Sequence, residues 1–246
     1  MNEDTTRPVP RQDYAPQLTQ EVRLDPARTV LIVVDMQYAS GCRATGLGRN
    51  LTLEGREAYG TERFDRIERV VVPTLQRLLA FFRAHGLPVL YLVIGSTHPD
   101  FLDMPEHMRK LARATNNRVG AREHEILDEL KPRPGELVLR KTTISAFTST
   151  GLESTLRALG ADCLVFGGIS TNMCVDTTAR DAADRGFKCV LVEDGCGAAK
   201  QVYHEAALVT FQRLFGRVAS ADEVMSELLE ALARQRPAAA RGASRG

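Results

Sequence analysis

Several features that mark well-known classes of protein are missing from this 246-residue sequence. Its five cysteines are an odd number without paired spacing, and it contains no CxxC motif or Cys/His cluster. These absences argue against a disulfide framework and against a structural zinc site. The sequence also lacks the basic-then-apolar order of a secretory signal, and its apolar runs are too short to span a bilayer. We therefore expect a cytoplasmic protein without a membrane partner.

A large excess of either charge is missing as well. Lys and Arg number 32 against 31 for Asp and Glu, so the formal net charge is +1. That balance gives no indication of a nucleic acid partner. Residues 234–246 contain four arginines, no acidic residue and no apolar period, so we expect a disordered basic tail. Residues 1–25 show no clear period and contain three prolines, which predicts an extended N-terminal arm.

Between these ends, residues 26–233 alternate short β-branched runs with amphipathic stretches. The runs predict strands at 29–35, 88–95, 136–141, 162–167, 188–194 and 215–218. Helical spacing predicts helices at 64–85, 152–159, 173–185 and 221–232. Since the first run is apolar at successive positions, its strand is covered on both faces, which favours a parallel sheet. We predict one three-layer α/β/α domain with a six-stranded, mainly parallel sheet in a Rossmann-like order.

Cys174 is the most informative residue, because it follows a predicted buried strand and the pair Gly167-Gly168. The glycine pair permits a sharp turn, and a polar residue among 170–172 can cap the following helix. A helix N-terminus and a nearby cation both lower the pKa of a thiol, so this position suits a nucleophile. The alternative is a cysteine that serves only as a small buried hydrophobic residue.

Three chemically distinct side chains are predicted at the carboxyl ends of different strands: Asp35, Lys141 and Cys174. Ligands of open parallel α/β sheets bind beyond these strand ends, so the three side chains are expected to converge. Each residue also has an ordinary structural interpretation. Asp35 can cap a turn, Lys141 can end a strand in solvent, and Cys174 can fill the core.

Together the three residues match the needs of amide hydrolysis. Cys174 is the candidate nucleophile, and a cationic Lys141 would lower its pKa and stabilise negative charge. Asp35 could take the thiol proton, deliver it to the leaving nitrogen and then activate water. The backbone N–H groups of Ser170 and Cys174 are the candidate donors of an oxyanion hole.

At these positions the sequence resembles the isochorismatase-like cysteine hydrolases, from about Thr29 to Val218. The matching motifs are Val33-Val34-Asp35-Met36-Gln37, Lys141 followed by Ser145-Ala146-Phe147, the run from Gly168 to Val175, the run from Thr177 to Ala182, and Val192-Glu193-Asp194. The resemblance implies the isochorismatase-like fold and a catalytic triad of Asp35, Lys141 and Cys174. It also implies a cis peptide bond between Ile169 and Ser170 and a homo-oligomer, either a dimer or a tetramer.

Differences within that family narrow the expected chemistry. Members that cleave the vinyl ether of isochorismate do not use this cysteine, so Cys174 points to the amidohydrolase branch. Nicotinamidases of the family bind a metal through an Asp-x-His pair and a second histidine. Here Ser96 stands two residues before His98, so we interpret His98 and His107 as polar loop residues. We therefore predict no metal and no cofactor.

The substrate is less well defined by the sequence. Residues 98–105 resemble the corresponding region of ureido hydrolases such as biuret hydrolase and ureidoacrylate amidohydrolase. By position, Tyr38, Phe147 and Gln212 are candidate substrate contacts, although they could equally be a loop residue, a core residue and a helix-surface residue. Residues 39–59 form a long insertion after Asp35, which we expect to shape the choice of substrate.

These observations predict a cysteine-dependent amidohydrolase that acts through a Cys174 thioester on a small amide or ureido compound. The reaction would release ammonia or a small amine. Two alternatives stay open. One is a nicotinamidase-like amidase with unusual metal ligands, and the other is a non-catalytic binding protein with the same fold.

Overall fold

A computed structural model of the protein describes residues 16–240. Most of the predicted N-terminal arm and residues 241–246 therefore lie outside the described residues. Within residues 16–240, no helix combines the length and the apolar character that crossing a membrane requires.

In the described part of the chain, six parallel strands form one sheet, and their order confirms the predicted fold class. The order is β3-β2-β1-β4-β5-β6. The strands are β1 Thr29–Val34, β2 Val89–Ile94, β3 Leu137–Lys141, β4 Cys163–Ile169, β5 Lys188–Gly197 and β6 Arg217–Ala219. Because β1 lies in the middle and pairs with both β2 and β4, the ends of these strands meet around the end of β1.

Ten α-helices connect and cover the strands in the described part of the chain. They are α1 Tyr38–Gly41, α2 Gly46–Leu53, α3 Thr61–Arg66, α4 Val72–Ala84, α5 Glu106–Ala114, α6 Ala146–Ser149, α7 Leu152–Ala158, α8 Asp176–Asp184, α9 Gln201–Gln212 and α10 Ala221–Ala240. Two π-helical turns, Ile67–Val71 and Thr171–Val175, precede α4 and α8. Helices α1, α2, α5, α6 and α9 were not among the predicted helices. In α5 only Met108 and Ala112 are buried, so its apolar pattern is too sparse to recognise.

The two faces of the sheet carry separate hydrophobic clusters. Along β1, Ile32 packs into one cluster, whereas Leu31 and Val33 pack into the other. Helices α5 to α9 contribute buried side chains to the first cluster, and α3, α4 and α10 contribute to the second. Every residue of β1 is buried, because helices cover both faces of the sheet. This burial explains why all residues of the strand except Thr29 are apolar.

Both ends of the described chain differ from the predictions. Val22 and Leu24 are buried in the second cluster, and the Leu24 N–H donates to Glu227 Oε1 at 2.8 Å. The end of the predicted arm therefore packs on its own domain. Helix α10 continues to Ala240, so the predicted disordered tail begins as helix. We predicted that this helix ends at residue 232, because the apolar pattern of the sequence stops there. The observed helix continues beyond that point without the apolar pattern.

The Gly167-Gly168 pair lies inside β4 rather than in the predicted turn. Gly168 has a φ of 130°, and a Cβ atom at this position would lie 2.1 Å from the carbonyl oxygen of Val34. The glycine is required because β1 and β4 approach each other closely at this point. This close approach brings the segment after β4 next to the residue that follows β1.

Candidate active site

Asp35, Lys141 and Cys174 meet at the carboxyl edge of the sheet. Asp35 follows β1, Lys141 is the last residue of β3, and Cys174 lies in the π-helical turn after β4. Lys141 Nζ lies 2.8 Å from Asp35 Oδ2. The Cys174 thiol lies close enough to both side chains for each of their charges to shift its pKa. All three side chains are buried, with exposed fractions of 3%, 0% and 8% respectively.

The backbone holds Asp35 in an unusual conformation. Its φ is 51°, in the left-handed region, where residues other than glycine are uncommon and cluster at functional sites. The Asp35 N–H donates to Leu92 O at 2.8 Å. Two residues later, the buried Gln37 side chain donates to Ile94 O at 3.0 Å and accepts from the Ile94 N–H at 2.9 Å. These contacts attach the backbone around Asp35 to β2.

The Asp35 carboxylate keeps free acceptor capacity despite its close cation. Within residues 16–240, neither carboxylate oxygen accepts a well-directed hydrogen bond from another side chain or from the backbone. The 2.8 Å contact with Lys141 is therefore an ion pair with poor hydrogen-bond angles. Lys141 directs a hydrogen bond to Thr143 O instead, at 3.2 Å. An unsatisfied buried carboxylate is well placed to accept a proton from a thiol.

The electrostatics of Cys174 differ from the sequence prediction. Burial is the larger cause and the Asp35 charge the second of a rise in the pKa of the Cys174 thiol to about 12. Lys141 lowers this pKa, but its effect offsets only part of the rise. Burial opposes the charge on Lys141, yet the charges of Asp35 and Cys174 raise its pKa above the usual value. The resting site therefore holds a protonated thiol beside a cationic lysine. A base must remove the thiol proton when the substrate is bound.

The segment that carries Cys174 has a distinctive backbone. The peptide bond between Ile169 and Ser170 is cis. The helix predicted from residue 173 begins as a π-helical turn at Thr171, and α8 begins only at Asp176. Single π-helical turns are frequent at functional sites. Ser170 and Cys174, whose N–H groups were predicted to bind an oxyanion, both border the cavity described next.

A cavity of about 300 Å³ opens beside Asp35 and Cys174. Much of its wall is apolar and comes from α5 and the loop before it, through Met104, Met108 and Leu111. The predicted insertion contributes Ala39, Ser40 and Leu47. Polar groups come from Arg63, Asn117 and Asn172. The volume is at the small end of ligand pockets, which span about 300–1,000 Å³.

The three predicted substrate contacts do not border this cavity. The Tyr38 ring lies under the guanidinium of Arg122, at 3.9 Å from the ring centre. Phe147 is a core residue whose ring centre lies 6.2 Å from that of Phe187. Gln212 is the last residue of α9 and lies outside the lining. Their positions in the chain suggested proximity to the site, but the direction of a side chain depends on its packing.

Arg63 is a functional candidate that the sequence did not reveal. It belongs to α3, is only 7% exposed and borders the cavity. Its Nε donates to Ser40 O at 3.0 Å, and its Nη1 donates to Ser170 Oγ at 3.0 Å. Burial lowers the pKa of Arg63 to about 10, so the side chain stays cationic at neutral pH. In the sequence it is one of several charged residues between 62 and 69, and nothing distinguishes it as buried.

A second buried arginine supports the turn that carries Cys174. Arg66 donates to Cys196 O at 2.9 Å, and its Nη2 lies 2.8 Å from His204 Nε2. The other ring nitrogen of His204 lies 2.8 Å from Thr171 Oγ1. Burial first, and then Arg66, lower the pKa of His204 to about 3. The histidine is therefore neutral, and because arginine can only donate to Nε2, its proton is on Nδ1 and points to Thr171.

His98 and His107 were both predicted to be polar loop residues, but only His98 lies in a loop, since His107 belongs to α5. His98 is half-buried, and His107 is exposed on α5. Ser96, at the position of the nicotinamidase aspartate, hydrogen-bonds Asp103. Within residues 16–240, no three side chains of His, Cys, Asp or Glu form a group suited to a metal ion.

Comparison with known proteins identifies the same family as the motifs. A model of the isochorismatase domain matches residues 29–223. The ureidoacrylate amidohydrolase RutB of Methylobacterium radiotolerans is 34% identical over 221 residues, which cover 82% of this chain and 80% of the relative. RutB of Acinetobacter baylyi is 32% identical over 212 residues, which cover 80% of this chain and 82% of the relative.

Solved structures show the same fold. A cysteine hydrolase from Pseudomonas syringae pv. phaseolicola superposes with a TM-score of 0.71 at 27% identity, covering 87% of this chain and 98% of that one. An N-carbamoylsarcosine amidase from Thermoplasma acidophilum superposes with a TM-score of 0.58 at 28% identity, covering 79% and 97%. The resemblance inferred from the motifs is confirmed. This chain belongs to the isochorismatase family of hydrolases.

Proposed function

We propose that the protein is a cysteine-dependent amidohydrolase that cleaves a C–N bond of a small amide or ureido compound. The observation that carries this proposal is the placement of Cys174 at a small cavity, where the buried pair of Asp35 and Lys141 acts electrostatically on its thiol. The printed names of relatives, ureidoacrylate amidohydrolase and N-carbamoylsarcosine amidase, support substrates of the same class.

The first half of the reaction transfers a proton and forms a covalent bond. Asp35 takes the proton of the Cys174 thiol while the sulfur attacks the carbonyl carbon of the substrate. Lys141 stabilises the thiolate character that develops during this step. Asp35 then gives the proton to the leaving nitrogen, the C–N bond breaks, and ammonia or a small amine departs from a thioester on Cys174.

The second half restores the thiol. Asp35, once more a carboxylate, takes a proton from water while the water oxygen attacks the thioester carbon. The C–S bond breaks, and the proton returns from Asp35 to the sulfur. The acid product leaves, so the net reaction consumes one water molecule for each C–N bond. In both halves, the N–H groups of Ser170 and Cys174 would donate to the oxyanion of the tetrahedral intermediate.

The raised pKa of Cys174 fits this sequence of steps. Because the thiol is still protonated when the substrate arrives, its proton is available for transfer to Asp35 during the attack. The low water content expected of a cavity with apolar walls strengthens the ion pair and the oxyanion contacts.

The proposal is tested by measuring ammonia release from a panel of small amides and ureido compounds, including biuret, ureidoacrylate, carbamoyl amino acids and nicotinamide. We expect turnover of a ureido compound by the wild type and a loss of at least about 10³-fold in Cys174→Ser. Cys42→Ser is the matched control, because Cys42 is half-buried and does not border the cavity. Equal turnover by wild type and Cys174→Ser would refute the cysteine mechanism.

The panel also tests the two alternative functions. Turnover of nicotinamide that depends on an added divalent metal ion would favour a nicotinamidase. No turnover, together with a thiol at residue 174 that no alkylating reagent modifies, would favour a non-catalytic binding protein. Assembly as a homo-oligomer and a cytoplasmic location remain predictions. Light scattering during size-exclusion chromatography would test the first of these.

A further inference from the structure

Arg63 is a buried cation without a buried counter-charge. Its side chain is 7% exposed, and within residues 16–240 no carboxylate lies within ion-pair distance of it. Removing a guanidinium from water is unfavourable unless other groups compensate for the loss. The two hydrogen bonds to Ser40 O and Ser170 Oγ use only Nε and one donor of Nη1. A guanidinium carries five N–H donors, so most of them are left for another acceptor.

Two other arginines with low exposure, the partly buried Arg83 and the buried Arg66, are satisfied in a different way. Arg83 forms a two-point ion pair with Glu136, at 2.7 and 2.8 Å. Arg66 is held by the carbonyl groups of Glu193 and Cys196. Both arginines have their acceptors within the protein. Arg63 instead borders the cavity, and it is the only cationic side chain among the described lining residues.

The other described lining residues offer an anion no second cationic side chain. Met104, Met108 and Leu111 form an apolar wall that cannot solvate a negative charge. On the reacting side, Asp35 would repel one. A carboxylate within the cavity is therefore directed to Arg63, whose planar fork matches the geometry of two carboxylate oxygens.

We propose that Arg63 binds a carboxylate group of the substrate, so that the enzyme selects anionic amide or ureido compounds over neutral ones. This inference rests on the proposed function of Cys174 at the same cavity. It adds a specificity residue and a substrate class, namely a small ureido or amide acid. Arg63 does not take part in the bond-breaking steps.

The charge of Arg63 could instead act on the thiol, because Cys174 and Arg63 influence each other electrostatically. Two alkylating reagents of similar size separate these roles. Iodoacetate carries the carboxylate, whereas iodoacetamide is its neutral counterpart. Loss of an anion-binding site slows only iodoacetate, and loss of a thiol-activating charge slows both reagents.

The experiment measures the rate of Cys174 alkylation by each reagent, in the wild type and in Arg63→Gln and Arg63→Lys. We expect Arg63→Gln to lower the iodoacetate rate by about tenfold or more, as for a lost charge-assisted hydrogen bond. The iodoacetamide rate should stay within about threefold. The iodoacetate rate of Arg63→Lys should lie between the rates of the wild type and Arg63→Gln, because lysine keeps the positive charge but lacks the planar guanidinium group. A parallel loss with both reagents, or no loss with either, would overturn the proposal.

A second measurement needs neither the variant to fold nor Cys174 to react. Thermal unfolding of the wild type is followed in the presence of butyrate or its neutral counterpart butyramide, at equal ionic strength. We expect butyrate to raise Tm and butyramide to leave it unchanged, because the carboxylate binds only the folded protein. Equal effects of the two compounds would contradict the role of Arg63. An unreactive Cys174 combined with selective stabilisation by butyrate would instead refute the proposed catalysis alone.

Once a substrate is known, the anionic and neutral forms of a compound can also be compared in turnover. A ureido acid and its methyl ester are compared in the wild type and in Arg63→Gln. We expect the substitution to raise KM for the acid by about tenfold or more, with a smaller change in kcat and little change for the ester. Equal changes for acid and ester would indicate a structural role for Arg63.

Discussion

Lys141 Nζ lies 2.8 Å from Asp35 Oδ2, and both side chains are almost completely buried. A buried ion pair is weak evidence for stability, because the cost of removing two charges from water offsets their attraction. The pair forms where β1 and β3 end on either side of β2, beside the one cysteine that borders the cavity. Its position is better explained by proton transfer than by folding.

Breaking this pair on one side should destabilise the protein more than replacing both partners. We expect Lys141→Met to lower the free energy of unfolding by about 3–5 kcal/mol, because the Asp35 carboxylate is left buried without its cation. The double variant Asp35→Asn/Lys141→Met should regain most of that loss. Urea unfolding of the two variants and the wild type measures the difference. A double variant less stable than Lys141→Met would show that the pair stabilises the fold.

Removal of the Asp35 charge should have opposite effects on thiol reactivity and on turnover. Asp35 raises the pKa of Cys174, so in Asp35→Asn the pH midpoint of alkylation by iodoacetamide should move to lower pH. Hydrolysis should fall by about 10²–10⁴-fold, because the variant lacks the proposed general acid and base. Alkylation and turnover are measured across the same pH range. An unchanged or higher midpoint would contradict the charge interaction between the two residues.

His204 should make the stability of the protein depend on pH. Its pKa is lowered from 6.5 to about 3 in the folded protein, so below pH 6.5 the unfolded chain binds a proton that the folded protein does not. Stability should therefore fall as the pH falls through this range, by up to about 1.4 kcal/mol per pH unit from this residue.

The matched variant for this test is His204→Gln, which cannot titrate but can still accept a hydrogen bond from Arg66. Denaturant unfolding of both proteins is measured between pH 7 and the lowest pH at which they fold. The carboxyl groups contribute equally to the pH dependence of both proteins. A weaker dependence of the free energy of unfolding on pH in His204→Gln therefore measures the contribution of His204. Parallel profiles would mean that the histidine is not buried in its neutral form.

The close approach of β1 and β4 should make Gly168 irreplaceable. A methyl group there would lie 2.1 Å from Val34 O, in a backbone conformation with φ of 130°. We expect Gly168→Ala to lose about 4 kcal/mol or more of stability, or to fail to fold. Gly160→Ala is the control, since φ is 66° and no atom lies within 4 Å of the added Cβ. Its cost should be about 1–2 kcal/mol, the ordinary cost of a left-handed residue. The stability of both variants is measured by thermal unfolding. Similar losses in Gly168→Ala and Gly160→Ala would show that the close approach of β1 and β4 does not require a glycine at residue 168.

The sequence by itself determined the fold and the meeting of the triad. Short apolar runs rich in β-branched residues, such as β1, are typical of buried strands, and their alternation with helices favours a parallel sheet. In such a sheet the carboxyl ends lie on one edge, so Asp35, Lys141 and Cys174 had to come near one another. The motifs around them were sufficient to indicate the family.

The tertiary structure alone decided the electrostatics and the walls of the cavity. The direction of the Cys174 pKa shift depends on how completely the thiol is buried, and the sequence shows only which charges are near. Helix α3 buries two of its charged side chains, Arg63 and Arg66, and of these two only Arg63 borders the cavity. Tyr38 and Phe147 do not border it. A sequence specifies strand ends through local patterns, whereas burial and side-chain direction are set by packing between segments far apart in the chain.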